Sequence, residues 1–149
     1  MKKLHYQGWD FINLTPHSIT VQTPLEEITI PLSGKVARVE MTNIKEDRIA
    51  GIPVLKKSPG RIINLPDPRP YTLFIVSSVV LQYTTRPDVV APDTSNAVRD
   101  DSGRIVAVPG FVRNPYTTRF CNCGSGYEVL TCPGLWNQDH SEFVTDFCG

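Results

Sequence analysis

The chain has 149 residues, with fifteen basic and fifteen acidic side chains; 40% of it is hydrophobic and 20% charged. That length and balance fit one domain with a packed core and exclude wholesale disorder. Zero formal charge leaves no general excess of Lys and Arg for nonspecific DNA or RNA binding, but leaves room for a local cluster that holds a small charged molecule.

The chain opens MKKLHYQGWDF, two lysines with no apolar segment behind them to make a signal peptide. No stretch approaches ~18 consecutive apolar residues, so the expectation is a protein of the cytoplasm with no membrane partner. Residues 1–10 read as a loose arm, docked by Trp9 and Phe11, and residues 11–15 (FINLT) as a first strand ended by Pro16. Residues 17–23 (HSITVQT) and 26–32 (EEITIPL) alternate polar and apolar around Pro24, the pattern of a half-buried hairpin. Residues 35–41 (KVARVEM) alternate out of strict period, as at a bulge or an edge. Residues 42–50 are polar, a loop or a short extension. Ser58-Pro59-Gly60 reads as the turn of a second hairpin between residues 52–55 and 61–65.

Three prolines, Pro66, Pro68 and Pro70, force an extended strap that delivers the chain to Tyr71. Residues 72–76 (TLFIV) read as a fully buried central strand. Ser77 and Ser78 are good helix N-caps, and Val79, Val80 and Tyr83 suit one or two turns facing the core before Arg86-Pro87 stops them. A strand feeding a helix through serines leaves free N–H groups that an anion or water can occupy. A loop follows at residues 91–96, then a hairpin turn at 99–104 in which Gly103 supplies a positive φ, and a returning strand at 105–112. Beyond residue 113 the pattern weakens.

Arg86, Asp88, Asp93, Thr94, Asn96, Arg99, Asp101 and Arg104 fall within nineteen residues. Arginine presents a planar fork matched to phosphate, and carboxylates and amides accept from sugar hydroxyls or base amino groups. Phe74, Tyr83 or Phe111 could stack on a base. Such a set suits a nucleotide with a diphosphate and two sugars; it also suits Arg and Asp pairing with each other across a solvated hairpin. His17, in Thr-Pro-His, reads as a histidine that bonds the turn rather than a catalytic base. Cys121, Cys123, Cys132 and Cys148 lie in the last fifth, at a spacing that does not match the usual C-x₂₋₄-C pairs of structural zinc. They read as free thiols or a tail disulfide, and neither metal nor cofactor is expected.

Several segments resemble the phage Thoeris anti-defence sponges, small proteins that sequester cyclic ADP-ribose isomers. They are Asn13-Leu14-Thr15-Pro16-His17, Ser33-Gly34 with Ala37-Arg38-Val39, Gly51-Ile52-Pro53-Val54, Gly60 with Leu65-Pro66, Phe74-Ile75-Val76-Ser77 and the segment 88–106. The resemblance covers residues 11 to 112, in order, and not the Cys-containing tail. It implies a nonenzymatic phage protein in the host bacterial cytoplasm that traps a cyclic ADP-ribose-type signal and so silences Thoeris immunity. It implies a homo-oligomer (dimer or hexamer), with cyclic oligonucleotides held at a second site in some members. The readings set against it are a nucleotide hydrolase, using Asp88, Asp93 or Asp101 as carboxylates, and a small phage structural or assembly protein.

The fold class expected is α+β: a mostly antiparallel β-sheet core, one short helix after a central strand, and a less regular C-terminal tail. Residues 1–112 form the ligand-binding core and 113–149 a C-terminal extension. The residues expected to touch ligand are Phe74, Ser77, Arg86, Asp88, Asp93, Thr94, Asn96, Arg99 and Arg104, with Arg86→Ala and Arg104→Ala expected to weaken capture in a folded protein.

Overall fold

The computed structural model describes residues 1–117. In chain order the strands are β1 (Leu4–Tyr6), β2 (Trp9–Asn13), β3 (Ile19–Gln22), β4 (Glu27–Ile30), β5 (Arg38–Ile49), β6 (Ile52–Ile63) and β7 (Thr72–Ile75). The helix α1 (Ser78–Leu81) follows, then β8 (Val89–Pro92), β9 (Val98–Arg99), β10 (Ile105–Ala107) and β11 (Phe111–Val112). The α+β class is as expected, with one four-residue α-helix directly after a central strand.

The largest sheet has the order β1-β2-β7-β8-β11. Its outer pairs, β1–β2 and β8–β11, are antiparallel, while β2–β7 and β7–β8 run parallel. The middle strand β7 carries the run Leu73-Phe74-Ile75, followed by Val76, which suits a strand covered on both faces. Alternation sends Ile12, Phe74 and Val89 to one face and Ile75 and Val90 to the other. The first face is covered by Val80 and Leu81 of α1, by Ala37, and by Val39 and Ile62 from the base of the β5–β6 ribbon. The second is covered by Ile19, Val21 and Ile30 of the β3–β4 hairpin and by Val108. That hairpin forms with the anticipated residues facing one another, Ile19 opposite Ile30 and Val21 opposite Ile28.

The structure corrects four local expectations. Residues 4–6 are not a loose arm: β1 pairs with β2, Leu4 opposite Phe11 and Tyr6 opposite Trp9, because Gln7 and Gly8 take positive φ and turn the chain back. Ser58-Pro59-Gly60 is not a turn: Ser58 faces Thr42 and Pro59 faces Met41 inside a long antiparallel ribbon. The ribbon turns instead at Ala50-Gly51, where φ is 51° and 78°. Positive φ at both central positions is the pattern of a type I′ hairpin turn, which proline cannot supply; a two-stranded ribbon tolerates Pro53 and Pro59 because each strand is an edge. Residues 42–49 are therefore strand, with register shifts near residues 40 and 46 that agree with the broken alternation. In α1, Val80 and Leu81 are buried, whereas Val79 and Tyr83 are exposed; the single turn is too short for residues 79 and 83 to share its inner face. The tail expectations, including the four cysteines, lie outside the described residues.

Candidate functional site

Three parallel strands end together at one edge of the large sheet. Asn13 sits beside Ile75, and Ile75 beside Val90, so β2, β7 and β8 release their chains side by side. Open sheets with parallel strands characteristically place ligands in the crevice beyond such carboxyl ends. Here the segments that leave the strands are Leu14-Thr15-Pro16-His17, Val76-Ser77-Ser78 and, after Pro92, Asp93-Thr94. They surround a cleft of about 570 Å³, within the usual range for small-molecule sites. The walls carry Thr15, His17, Ser18 and Thr20 on one side, Ser77, Ser78 and Thr94 on another, and aliphatic residues 105–108 from β10 and the residue after it. The polar side chains of this lining are hydroxyls and one imidazole, on an otherwise largely apolar surface.

Each wall has a local cause. Asn13 is fully buried and works as a brace. Its Nδ2 donates to the carbonyls of His17 (2.7 Å) and Ile30 (3.4 Å), and its Oδ1 accepts from the Thr15 amide (3.0 Å) and hydroxyl (2.6 Å). These bonds hold the chain through Thr15-Pro16-His17 and present the His17 side chain at the cleft. Ser77 Oγ accepts from the Val80 amide at 3.4 Å, so one of the N–H groups at the strand–helix junction is already satisfied within the chain. Asp93 accepts from Ser95 Oγ and Asn96 Nδ2, both at 2.9 Å, which closes the single 3-10 turn at Thr94–Asn96. Those donors, Asn96 foremost, hold the Asp93 carboxyl below its ordinary range.

Of the residues expected to touch ligand, Ser77 and Thr94 line the cleft. Asp93 and Asn96 bond each other beside it. Arg99 donates to the Gly103 carbonyl at 2.8 Å, within the turn that closes β9–β10. Arg104 is exposed at that turn, immediately before Ile105 of the cleft wall. Phe74 and Asp88 have no exposed surface. Arg86 spans the gap between them and the strap. Its Nε and Nη2 donate to the two Asp88 oxygens at 3.0 and 2.7 Å, its Nη1 donates to the Pro66 carbonyl at 3.0 Å, and its guanidinium lies 5.7 Å from the Phe74 ring centre. Burial pushes the Asp88 carboxyl up, and the arginine fork opposes that rise. The expectation that these three residues contact ligand is thus corrected: the guanidinium is committed to the chain itself, because a fully buried carboxylate requires a partner. Phe111 likewise stacks on Phe11, with centroids 6.4 Å apart, and is held by the sheet.

Reading along the chain missed Thr15, Ser18, Thr20 and residues 105–108, and took His17 as a turn residue. Thr-Pro-His after a strand was the available signal; its neighbours across the cleft arrive only through the pairing of distant strands. Among the described residues, no group of three or more His, Cys, Asp or Glu is placed to hold a metal ion, and no helix is long and apolar enough to cross a membrane. No protein-family description, curated protein or solved structure matches the chain.

Proposed function

We propose that the protein binds a cyclic ADP-ribose-type nucleotide in the cleft beyond β2, β7 and β8 and sequesters it intact. In this reading it is a phage anti-defence protein that acts in the host cytoplasm as a homo-oligomer and silences Thoeris signalling. The observation that carries the reading is the convergence at one cleft of two separate segments that resemble the sponge family, Asn13-Leu14-Thr15-Pro16-His17 and Phe74-Ile75-Val76-Ser77. Hydroxyls of Thr15, Ser18, Ser77 and Thr94 are suited to phosphate and sugar oxygens, and the aliphatic wall at residues 105–108 to the face of a base. Holding a signal at ~1 nM takes about 12 kcal/mol, which calls for many contacts and exclusion of water. An apolar cleft with hydroxyls on two sides offers the contacts.

The test is a trap-and-release measurement. The full chain is incubated with cyclic ADP-ribose isomers, freed of unbound ligand and heat-denatured, and the released nucleotide is identified by chromatography and mass. Intact nucleotide near one per binding site is expected, and His17→Ala should lower the retained amount at least tenfold while the protein remains folded. A cleaved product would replace the trap with a hydrolase. No retained nucleotide would overturn the reading and favour a structural or assembly role.

A further inference from the structure

The cleft beyond β2, β7 and β8 is short of charge. Among the described residues that line it, His17 alone has an ionisable side chain; the others offer hydroxyls or aliphatic surface. The charged groups on the elements around it lie off its wall. Asp93, just after β8, is held by Ser95 and Asn96. Arg99 donates to the Gly103 carbonyl, and Arg104 is exposed one residue before the wall begins at Ile105. Lys35, on the chain that bonds the backbone of Asn13 and Leu14, is exposed and outside the lining. On the β3–β4 hairpin, Glu27 lies opposite Gln22, at the other end from Ile19 and Ile30. Helix α1 and strand β10 carry no charged residue. A diphosphate that enters such a cleft gives up part of its hydration. Hydroxyls return hydrogen bonds to it but do not neutralise its charge.

We propose that His17 meets the phosphate charge of the ligand as an imidazolium, so that capture takes up a proton. The proposal rests on the nucleotide reading of the cleft and adds to it the group that answers the diphosphate. His17 is held in place for this. Its carbonyl accepts from Asn13 Nδ2 at 2.7 Å and from Thr15 Oγ1 at 2.9 Å, and Pro16 stiffens the chain before it. Among the described residues no carboxylate pairs with the imidazole, whereas His5 is engaged by Asp10. A ring already in place costs little further ordering when ligand arrives. Imidazole is the side chain that changes charge between ~pH 5 and 8, and an anion close by favours the charged form, in which both nitrogens donate. Linkage is reciprocal: an anion that draws a proton onto the ring is bound more tightly once the proton is there. In acid the free chain already carries that proton; in base it must be taken from solution. Affinity is therefore highest at low pH and falls as pH rises, by at most about tenfold per unit for one proton.

Titration calorimetry on the full chain, from about pH 5.5 to 8.5, reads the result. The probes are cyclic ADP-ribose isomers closed through their two riboses, whose diphosphate keeps both charges and whose adenine stays neutral across that range. Kd is expected to be at least fivefold higher at pH 8 than at pH 6. Paired titrations near pH 7.5, in buffers of different ionisation enthalpy, should show net proton uptake on binding. His17→Asn keeps the backbone carbonyl that Asn13 and Thr15 hold, and circular dichroism checks its fold. It should bind at least tenfold more weakly at pH 6, with a flat pH profile and no proton uptake. His5→Asn, at the far end of the sheet, should keep the wild-type slope. Tight binding with a Kd independent of pH overturns the proposal and leaves the nucleotide reading standing. A slope that survives in His17→Asn overturns it too, because the proton then belongs to another group. No binding of any isomer at any pH overturns both. If His17→Asn does not fold, the wild-type slope and proton uptake still decide: absence of either is fatal.

Discussion

Removing the Arg86 guanidinium strands a carboxylate that has no contact with water. Asp88 is fully buried, and the Arg86 guanidinium donates to both of its carboxylate oxygens, at 3.0 and 2.7 Å. Arg86→Ala is therefore expected to cost about 3–5 kcal/mol at pH 7, seen as a lower urea midpoint, rather than to weaken ligand capture in a stable protein. The cost should depend on pH in a defined direction. Burial already raises the folded pKa of Asp88 above its unfolded value, and loss of the cation raises it further. A folded state that keeps its proton while the unfolded state gives it up loses stability as pH rises, by at most about 1.4 kcal/mol per unit for one group. The difference between wild type and Arg86→Ala should shrink as pH falls through the carboxylate range. Asp93 and Asp100 pull the other way: their folded values are lowered, so what they contribute is present above the unfolded value and lost in acid. A destabilisation that stays constant from pH 7 to pH 3 would mean that Asp88 is not the group left behind. The cluster of Arg and Asp was visible in the sequence; which arginine is consumed by the core was not, because it depends on Asp88 sitting at the start of a buried strand.

Among the elements, the ribbon turn offers the cleanest separation of backbone from packing. Ala50 has φ 51° and Gly51 φ 78°, and a Cβ added at Gly51 meets nothing within 4 Å. Any effect of substitution there is conformational strain alone. Gly51→Ala should weaken the ribbon by about 1–2 kcal/mol, and Ala50→Gly should strengthen it by about 0.5–1 kcal/mol. Hydrogen exchange at the cross-strand amides of β5 and β6 reads this locally, whether or not the whole domain shifts. Equal exchange in all three proteins would contradict the turn geometry. The β3–β4 hairpin and the buried strand β7 were legible because alternation and an unbroken apolar run are local signals. The ribbon turn was not, because Ser58-Pro59-Gly60 is the stronger local punctuation. Ala50-Gly51 wins through the long register on either side of it, in which Ile49 meets Ile52 and Arg38 meets Ile63.

At the scale of the molecule, the α+β class followed from short apolar runs separated by prolines. The parallel centre did not. Placing β2 beside β7, across a long stretch of intervening chain, is a decision of the whole sheet and leaves no mark in either strand's own residues. That placement makes the cleft: it carries the chain after Asn13 and the chain after Ile75 to the same edge, opposite residues 105–108. It also explains why the polar segment 86–104 divides. Its start is buried with Phe74, residues 89–92 form β8, and from Thr94 onward it lies at the surface, Thr94 lining the cleft.

The most direct measurement is a heteronuclear NMR titration of the ¹⁵N-labelled chain with a cyclic ADP-ribose isomer, following the protein amides and the ligand's own signals in the same tube. The expected result is saturation near one ligand per binding site, with the largest shifts at residues 15–20, 77–78, 94 and 105–108, and ligand signals that remain those of the intact nucleotide. Saturation with shifts confined to residues 99–104, no shifts at all, or conversion of the ligand would contradict the account.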